Sequence, residues 1–255
     1  MKHVFFIFLL TFFSAFASAH RITPETMIRC RAGVTPDRCE RQRATALAKK
    51  CIEPDEYEAL KSMGGMPTCY EEDSSFMGWC PCGCFAADTK IKSNALNLIE
   101  EISTQNLIEL FASGHRPQVA HLSSASTVQD LQFKSSPVRN VSVGPEALPL
   151  VVISTDEKGS AGQIALTTNH PVVLADGSII RAERLQPGQK LLNYLGRPET
   201  IKTVARKSYS GLVYNFNVNS PLDNEHIVIA NGLLMGDLHL QGSLSYFENQ
   251  ILVRK

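Results

Sequence analysis

This sequence has no excess of charge: 25 Lys and Arg stand against 25 Asp and Glu over 255 residues, for a formal charge of zero. No basic block stands out, so nothing in it addresses a nucleic acid or an anionic surface. After residue 19 no apolar run approaches spanning length, which leaves no candidate membrane-spanning helix. Cysteine is absent after residue 84, so no disulfide bond can staple the rest of the chain. Alternation of strands with helices and repeats of fixed period are also missing, which excludes a layered parallel sheet and a solenoid. At this length the chain can bury one sizeable core, or one core plus a small satellite.

What is present divides the chain. Lys2 and His3 precede an apolar run over residues 4–16 that ends in Ala17-Ser18-Ala19. This is the pattern of a signal peptide, and cleavage after Ala19 is expected. A membrane anchor would need about 20 apolar residues. The mature chain is therefore expected to be secreted, periplasmic or otherwise extracellular, with no membrane span. In an oxidising compartment cysteines tend to pair. Cys30, Cys39, Cys51, Cys69, Cys80 and Cys82 make six disulfide candidates, and Cys84 is the odd one out. Sequence leaves their connectivity unranked.

Residues 20–83 read as a small cysteine-rich, helical module. Thr35-Pro36-Asp37 is a helix start, with a hydroxyl cap, proline at the first helical position and an acid in the first turn. A run of helix formers continues to Cys51, and a second helix is expected from Pro54 to Met63, stopped by Gly64. Cys39 and Cys51 lie too far apart along one helix to bond each other, so each should staple its helix to something else. A metal site at Cys80-Pro81-Cys82-Gly83-Cys84 lacks a second ligand pair at zinc spacing, so no metal and no cofactor are expected.

Residues 92–160 carry little pattern. Leu96, Leu98, Ile99 and Ile102, then Leu107, Ile108, Leu110 and Phe111, suggest a short helix followed by a strand. His115 and His121 sit in polar surroundings and read as surface residues. Asn140-Val141-Ser142 fits a glycosylation sequon. From Leu148 onward short strands are clear. Leu150-Val151-Val152-Ile153 is β-branched, and Gln163 to Thr168 alternates. Asp176-Gly177 and Asn231-Gly232 mark two hairpins. Leu212, Tyr214, Phe216 and Val218 line one face of another strand and place Asn215 and Asn217 on the other. The second part of the chain is expected to be an all-β domain.

Three motifs fall in order within it. Cys84-Phe85 with Asp88-Thr89-Lys90-Ile91 opens the region, and Thr167-Thr168-Asn169-His170-Pro171 sits in its middle. Val213-Tyr214-Asn215-Phe216-Asn217-Val218 and His226 to Met235 close it. Together they resemble the Hedgehog/intein (Hint) domain, over residues 84–237. The resemblance implies a flattened, pseudo-twofold β-domain in which the first residue meets the Thr-x-x-His strand. It also implies an N–S acyl shift: Cys84 attacks the Gly83 carbonyl, and the Gly83–Cys84 peptide bond becomes a thioester.

The residue types suit that chemistry. An amide is a poor electrophile with a poor leaving group, so it needs a strong nucleophile and a proton donor for the nitrogen. Cys84 would be the first and His170 the second, with Thr167 hydrogen-bonded to the scissile peptide. In an extended strand Thr167 and His170 point to opposite faces, so a bend at Asn169 or Pro171 must bring them together. Gly83 has no Cβ, which permits a strained bond.

The closing end departs from the splicing pattern. Where an intein has His-Asn before Cys, Ser or Thr, this chain has Gly236-Asp237-Leu238, and Asn215 stands where inteins often carry an aspartate. His226 matches the family's late histidine. Cleavage at the amino side, rather than splicing, is the expectation, with water or an unidentified nucleophile as acyl acceptor. The tail, residues 238–255, reads as a final packing strand or helix. The released 20–83 module would then act on a partner of its own. The alternatives are a secreted cysteine-rich binding protein on an inactive Hint-like scaffold, and a metal- or redox-active cysteine module. A Cys82–Cys84 bridge locking the nucleophile is weighed against pairing of Cys80 with Cys82.

Overall fold

A computed structural model of the chain describes residues 21–23, 26, 36–62, 65–81, 85–95, 98–146, 149–156 and 162–254. The signal-peptide segment, Cys30, Gly64, Cys82, Gly83 and Cys84 lie outside them, as does the side chain of Cys39.

The upstream part has the two expected helices, α1 (Pro36–Ala48) and α2 (Pro54–Ser62). Proline opens both, where its missing N–H costs nothing. Asp55 and Glu56 in the first turn of α2 and Lys61 in its last turn complement the helix dipole. The sequence reading missed a hairpin, β1 (Gly65–Cys69) and β2 (Phe76–Pro81), that completes this part. Cys51 is bonded to Cys69, which ties the end of the helical segment to the hairpin, and Cys80 is also disulfide-bonded. Ala46, Ile52, Leu60 and Trp79 form a small apolar core around Cys51. Two polar struts close it: Trp79 Nε1 donates to Thr23 O at 2.9 Å, and Arg21 pairs with the buried Glu56 at 2.6 Å.

The rest is β, as expected. Its strands are β3 (Phe85–Ala86), β4 (Lys90–Ala95), β5 (Leu98–Ser103), β6 (Gln118–Leu122), β7 (Phe133–Pro145), β8 (Leu150–Thr155), β9 (Gln163–Leu166) and β10 (Pro171–Val173). They continue as β11 (Ile179–Arg181), β12 (Lys190–Leu192), β13 (Pro198–Lys207), β14 (Leu212–Val218), β15 (Ile227–Ala230) and β16 (Leu233–Gly236). All fourteen belong to one connected, antiparallel ladder. Both predicted hairpins form. β10 pairs with β11 across Asp176-Gly177, and β15 with β16 across Asn231-Gly232. Asn231 and Gly232 both have positive φ, the backbone a two-residue hairpin turn needs.

Residues 92–112 reverse the expected order. The strand β5 comes first and pairs with β4, and the helix α3 (Thr104–Ala112) follows. Ser103 caps that helix by accepting from Asn106 N, and Thr104 Oγ1 donates to Ala86 O at 2.7 Å. The apolar spacing is helical on both sides of residue 103, so only strand pairing separates them. The long strand β7 carries no clear strand signal in the sequence, because polar residues, Pro137 and Gly144 interrupt its apolar positions. It pairs with β6 through Pro137 and with β14 from Val138 onward, and two ladders outweigh its weak propensity.

His121 is not a surface residue. It is fully buried, its ring lying between Leu122 O (3.0 Å) and Ser136 Oγ (2.8 Å), while His115 is exposed as expected. The Asn140 sequon sits inside β7, where Asn140 is half-buried and Ser142 is buried. The tail packs as α4 (Leu238–Gly242) and α5 (Leu244–Phe247), burying Leu240 and Leu244. It then runs over the β10–β11 turn, where Gly177 is at φ +85° and an added Cβ would lie 2.0 Å from Val253 O. Only glycine fits there.

Candidate functional site

The site is built around the short strand β3. Phe85 is paired on one side with Leu166 of β9 and on the other with Tyr214 of β14. Its ring is fully buried, stacked 6.3 Å from Phe216, and meets the His170 ring edge-on at 4.2 Å. Strand alternation turns Ala86 the opposite way. There a cleft of about 290 Å³ opens, lined by Asp88, Gln163, Lys207, Tyr209 and Asn231 among others.

β9 ends at Leu166, and the chain then turns. His170 N donates to Thr167 O at 3.1 Å, closing a turn over Thr168 and Asn169. This is the expected bend, located at Asn169. The turn is clamped from outside as well: Ala182 N donates to His170 O, and Glu183 N donates to Thr168 O, each at 2.9 Å. Its backbone is therefore fixed before any side chain is considered.

His170 is the anomaly of this region. It has no exposed surface, and among the described residues neither Nδ1 nor Nε2 has a hydrogen-bond partner. Burial pushes its pKa down to about 3, so the ring is neutral at ordinary pH. An unpaired buried polar group costs about 1–3 kcal/mol, and most proteins avoid it.

Thr167 is buried, and its hydroxyl donates to Asn169 Oδ1 at 3.0 Å. The same Oδ1 accepts from Gln241 Nε2 at 2.9 Å, and Gln241 Oε1 accepts from Asn215 Nδ2 at 3.1 Å. Asn215 Oδ1 in turn accepts from Phe216 N at 2.8 Å. A line of amides therefore runs from β14 through the tail helix α4 to the Thr167–His170 turn. Sequence reasoning placed Asn215 on the far face of β14 but missed Asn169 and Gln241. Asn169 lay within the quoted motif, whereas Gln241 had no local signal.

His226, the fourth predicted residue, sits in a different setting. Its Nδ1 lies 2.8 Å from Asp237 Oδ2 and its Nε2 lies 3.1 Å from Ser220 O. Its ring stacks on His239 at 3.8 Å, and His239 pairs with Asp223. Asp237 is saturated: Val218 N donates to Oδ2, while His239 N and Leu240 N donate to Oδ1. Asp237 is thus the N-cap of α4 and the partner of His226. Nearby, Glu225 is held down to about 2; burial opposes this, but hydrogen bonds from Lys134, Ser220 and Ser124 outweigh it.

The scissile residues Gly83 and Cys84 lie outside the described residues. Phe85, one peptide bond from Cys84, is held beside Leu166 and against His170. Among the described residues no helix is long and apolar enough to cross a membrane.

No family model matches this chain, and no curated protein matches it. Solved structures do. The crystal structure of a DnaB intein from Synechocystis sp. PCC 6803 is 17% identical, with a TM-score of 0.47, over 61% of this chain and 98% of that one. The solution structure of a bacterial intein-like domain from Clostridium thermocellum is 19% identical, with a TM-score of 0.46, over 60% and 98%. An intein from a hyperthermophile is 18% identical, with a TM-score of 0.49, over 60% and 99%. The similar structures are thus inteins and intein-like domains. At TM-scores below 0.5 and identities below 20%, the likeness assigns no chemistry to this chain.

Proposed function

We propose that this protein cuts itself once, at the Gly83–Cys84 bond. The observation that carries the proposal is His170: a neutral, fully buried and unpartnered imidazole lies 4.2 Å from the ring of the residue that follows Cys84. A group left unpaired at such cost suits a partner that it meets during reaction.

The Cys84 thiol attacks the Gly83 carbonyl carbon. The new C–S bond forms, the peptide C–N bond breaks, and the thiol proton passes to the Cys84 nitrogen. A neutral His170 can accept the proton from sulfur and return it to nitrogen. Burial disfavours the imidazolium between these steps, which hastens the return. Thr167 has given its own proton to Asn169, so its remaining lone pairs are free to accept from the scissile N–H. The products are a thioester at Gly83 and a free amine on Cys84. Water, or another nucleophile, then attacks the thioester and releases residues 20–83. Asp237 is committed to His226 and to three backbone donors, so it does not break a second bond and the tail stays attached. The chain would be exported, with its signal peptide removed after Ala19, and the released module would meet its partner outside the cell.

The test is intact mass of reduced, full-length protein incubated with hydroxylamine, which captures thioesters. Fragments 20–83 and 84–255 are expected, and Cys84→Ala should stay whole. Wild-type protein that remains uncut for days while folded and reduced would overturn the proposal.

A further inference from the structure

The turn that carries Thr167 and His170 is held from the far end of the chain. Gln241, fully buried on α4, donates through Nε2 to Asn169 Oδ1, the atom that also receives the Thr167 hydroxyl. Through Oε1 it accepts from Asn215 on β14, the strand that pairs with Phe85. One side chain therefore ties the turn to a strand that flanks β3. Two further contacts run in the same direction. Arg181, paired with Pro171 in the β10–β11 ladder, is joined to Glu248 of the tail at 2.9 Å. Gly236, immediately before the Asp237 cap, packs so closely on Pro171 that an added Cβ would lie 2.7 Å from its Cβ. The residue after His170 is thus gripped from the end of β16, and its ladder partner from the tail.

We propose that Gln241 is a positioning residue for self-cleavage, and that the 238–254 tail is a working part of the site rather than an appendage to it. Gln241 fixes Asn169, Asn169 orients the Thr167 hydroxyl, and the closed turn holds His170 against Phe85. The proposal rests on the cleavage reading above. Displacement of a reacting group by about an ångström can cost up to ~100-fold in rate, so small slack in this line matters. Without Gln241, Asn169 loses its link to Asn215 of β14, and the turn gains freedom that water can exploit.

The experiment pairs two measurements. In the otherwise native full chain, Gln241→Met keeps the length and removes the hydrogen bonds to Asn169 and from Asn215. The hydroxylamine-driven cleavage rate is expected to fall ~10- to 100-fold. In the uncleavable Cys84→Ala chain, the His170 ring is titrated by NMR with and without Gln241→Met. Loosening the turn should raise its pKa from about 3 towards the ordinary histidine value, which a general loss of stability would not do in the folded state. If Gln241→Met does not fold, Gln241→Glu replaces it, because that variant keeps the acceptor for Asn215 and loses only the donor to Asn169. An unchanged cleavage rate, or an unmoved His170 titration, overturns the proposal. A wild-type chain that never cleaves overturns the cleavage reading instead. The titration then decides by itself whether Gln241 holds the turn.

Discussion

Two buried histidines in the same β-domain are treated in opposite ways. His226 has a partner at each nitrogen, an aspartate on one side and a carbonyl on the other, and a second imidazole stacked on its face. His170 has none among the described residues, although it is no less buried. A saturated histidine holds structure, because its hydrogen bonds already offset its desolvation. An unsaturated one is a standing cost that the surrounding structure must carry, and such sites cluster where chemistry occurs. Both histidines were candidates on sequence grounds. Their surroundings differ: both nitrogens of His226 are tied into the fold, whereas those of His170 have no partner among the described residues.

Exchanging the two histidines for alanine gives the largest expected contrast. His170→Ala should slow thioester formation by ~10²- to 10⁴-fold, the range typical of a lost general acid–base, and leave the fold standing. His226→Ala should do the reverse: stability falls by about 3 kcal/mol as Asp237 loses its buried partner, while molecules that remain folded still cleave. Urea unfolding and mass-resolved cleavage on the same two variants check this. A His226 variant that is stable but inactive would erase the contrast.

Acid should separate them next. The folded-state pKa of His170, about 3, lies below the ordinary histidine value. The unfolded chain therefore binds more protons than the folded one between about pH 6.5 and pH 3. The stability tied to a neutral His170 is fully present above that window and is lost as pH falls through it, by on the order of 4 kcal/mol at its end. His170→Leu should flatten this part of the stability–pH profile. Urea midpoints at half-unit pH steps would show it, and parallel profiles for the two proteins would contradict it.

A smaller effect is expected at Gly236, where the two settings meet. Gly236 packs on Pro171, next to His170, and precedes Asp237, the partner of His226. Gly236→Ala puts a methyl group into Pro171, and overpacking of this kind costs about 1–3 kcal/mol. The change should lower the melting temperature and slow cleavage together, since it pushes on the turn. Loss of stability with an unchanged cleavage rate would show that the His170 turn is insulated from the end of β16.

Much of this was legible in the chain itself. The β-strands from Leu150 onward, both hairpin turns, the opening prolines of α1 and α2, and the need for a bend between Thr167 and His170 all follow from short-range rules. Alternation, turn residues and caps act over a few positions, so sequence displays them directly. The order of strand and helix in residues 98–112, the polar strand β7 and the burial of His121 do not follow from such rules. Each is decided by a partner far away in the chain: β4 for β5, β6 and β14 for β7, and Ser136 for His121. The candidate site divides in the same way. Which residues could do the chemistry is readable from the chain, because nucleophile, hydroxyl and imidazole are properties of residue types. Packing between distant segments, by contrast, leaves His170 unpartnered among the described residues, ties His226 to Asp237 and brings Gln241 of the tail to Asn169. Hydrogen-bond saturation is a property of the packed neighbourhood, and no local pattern encodes it.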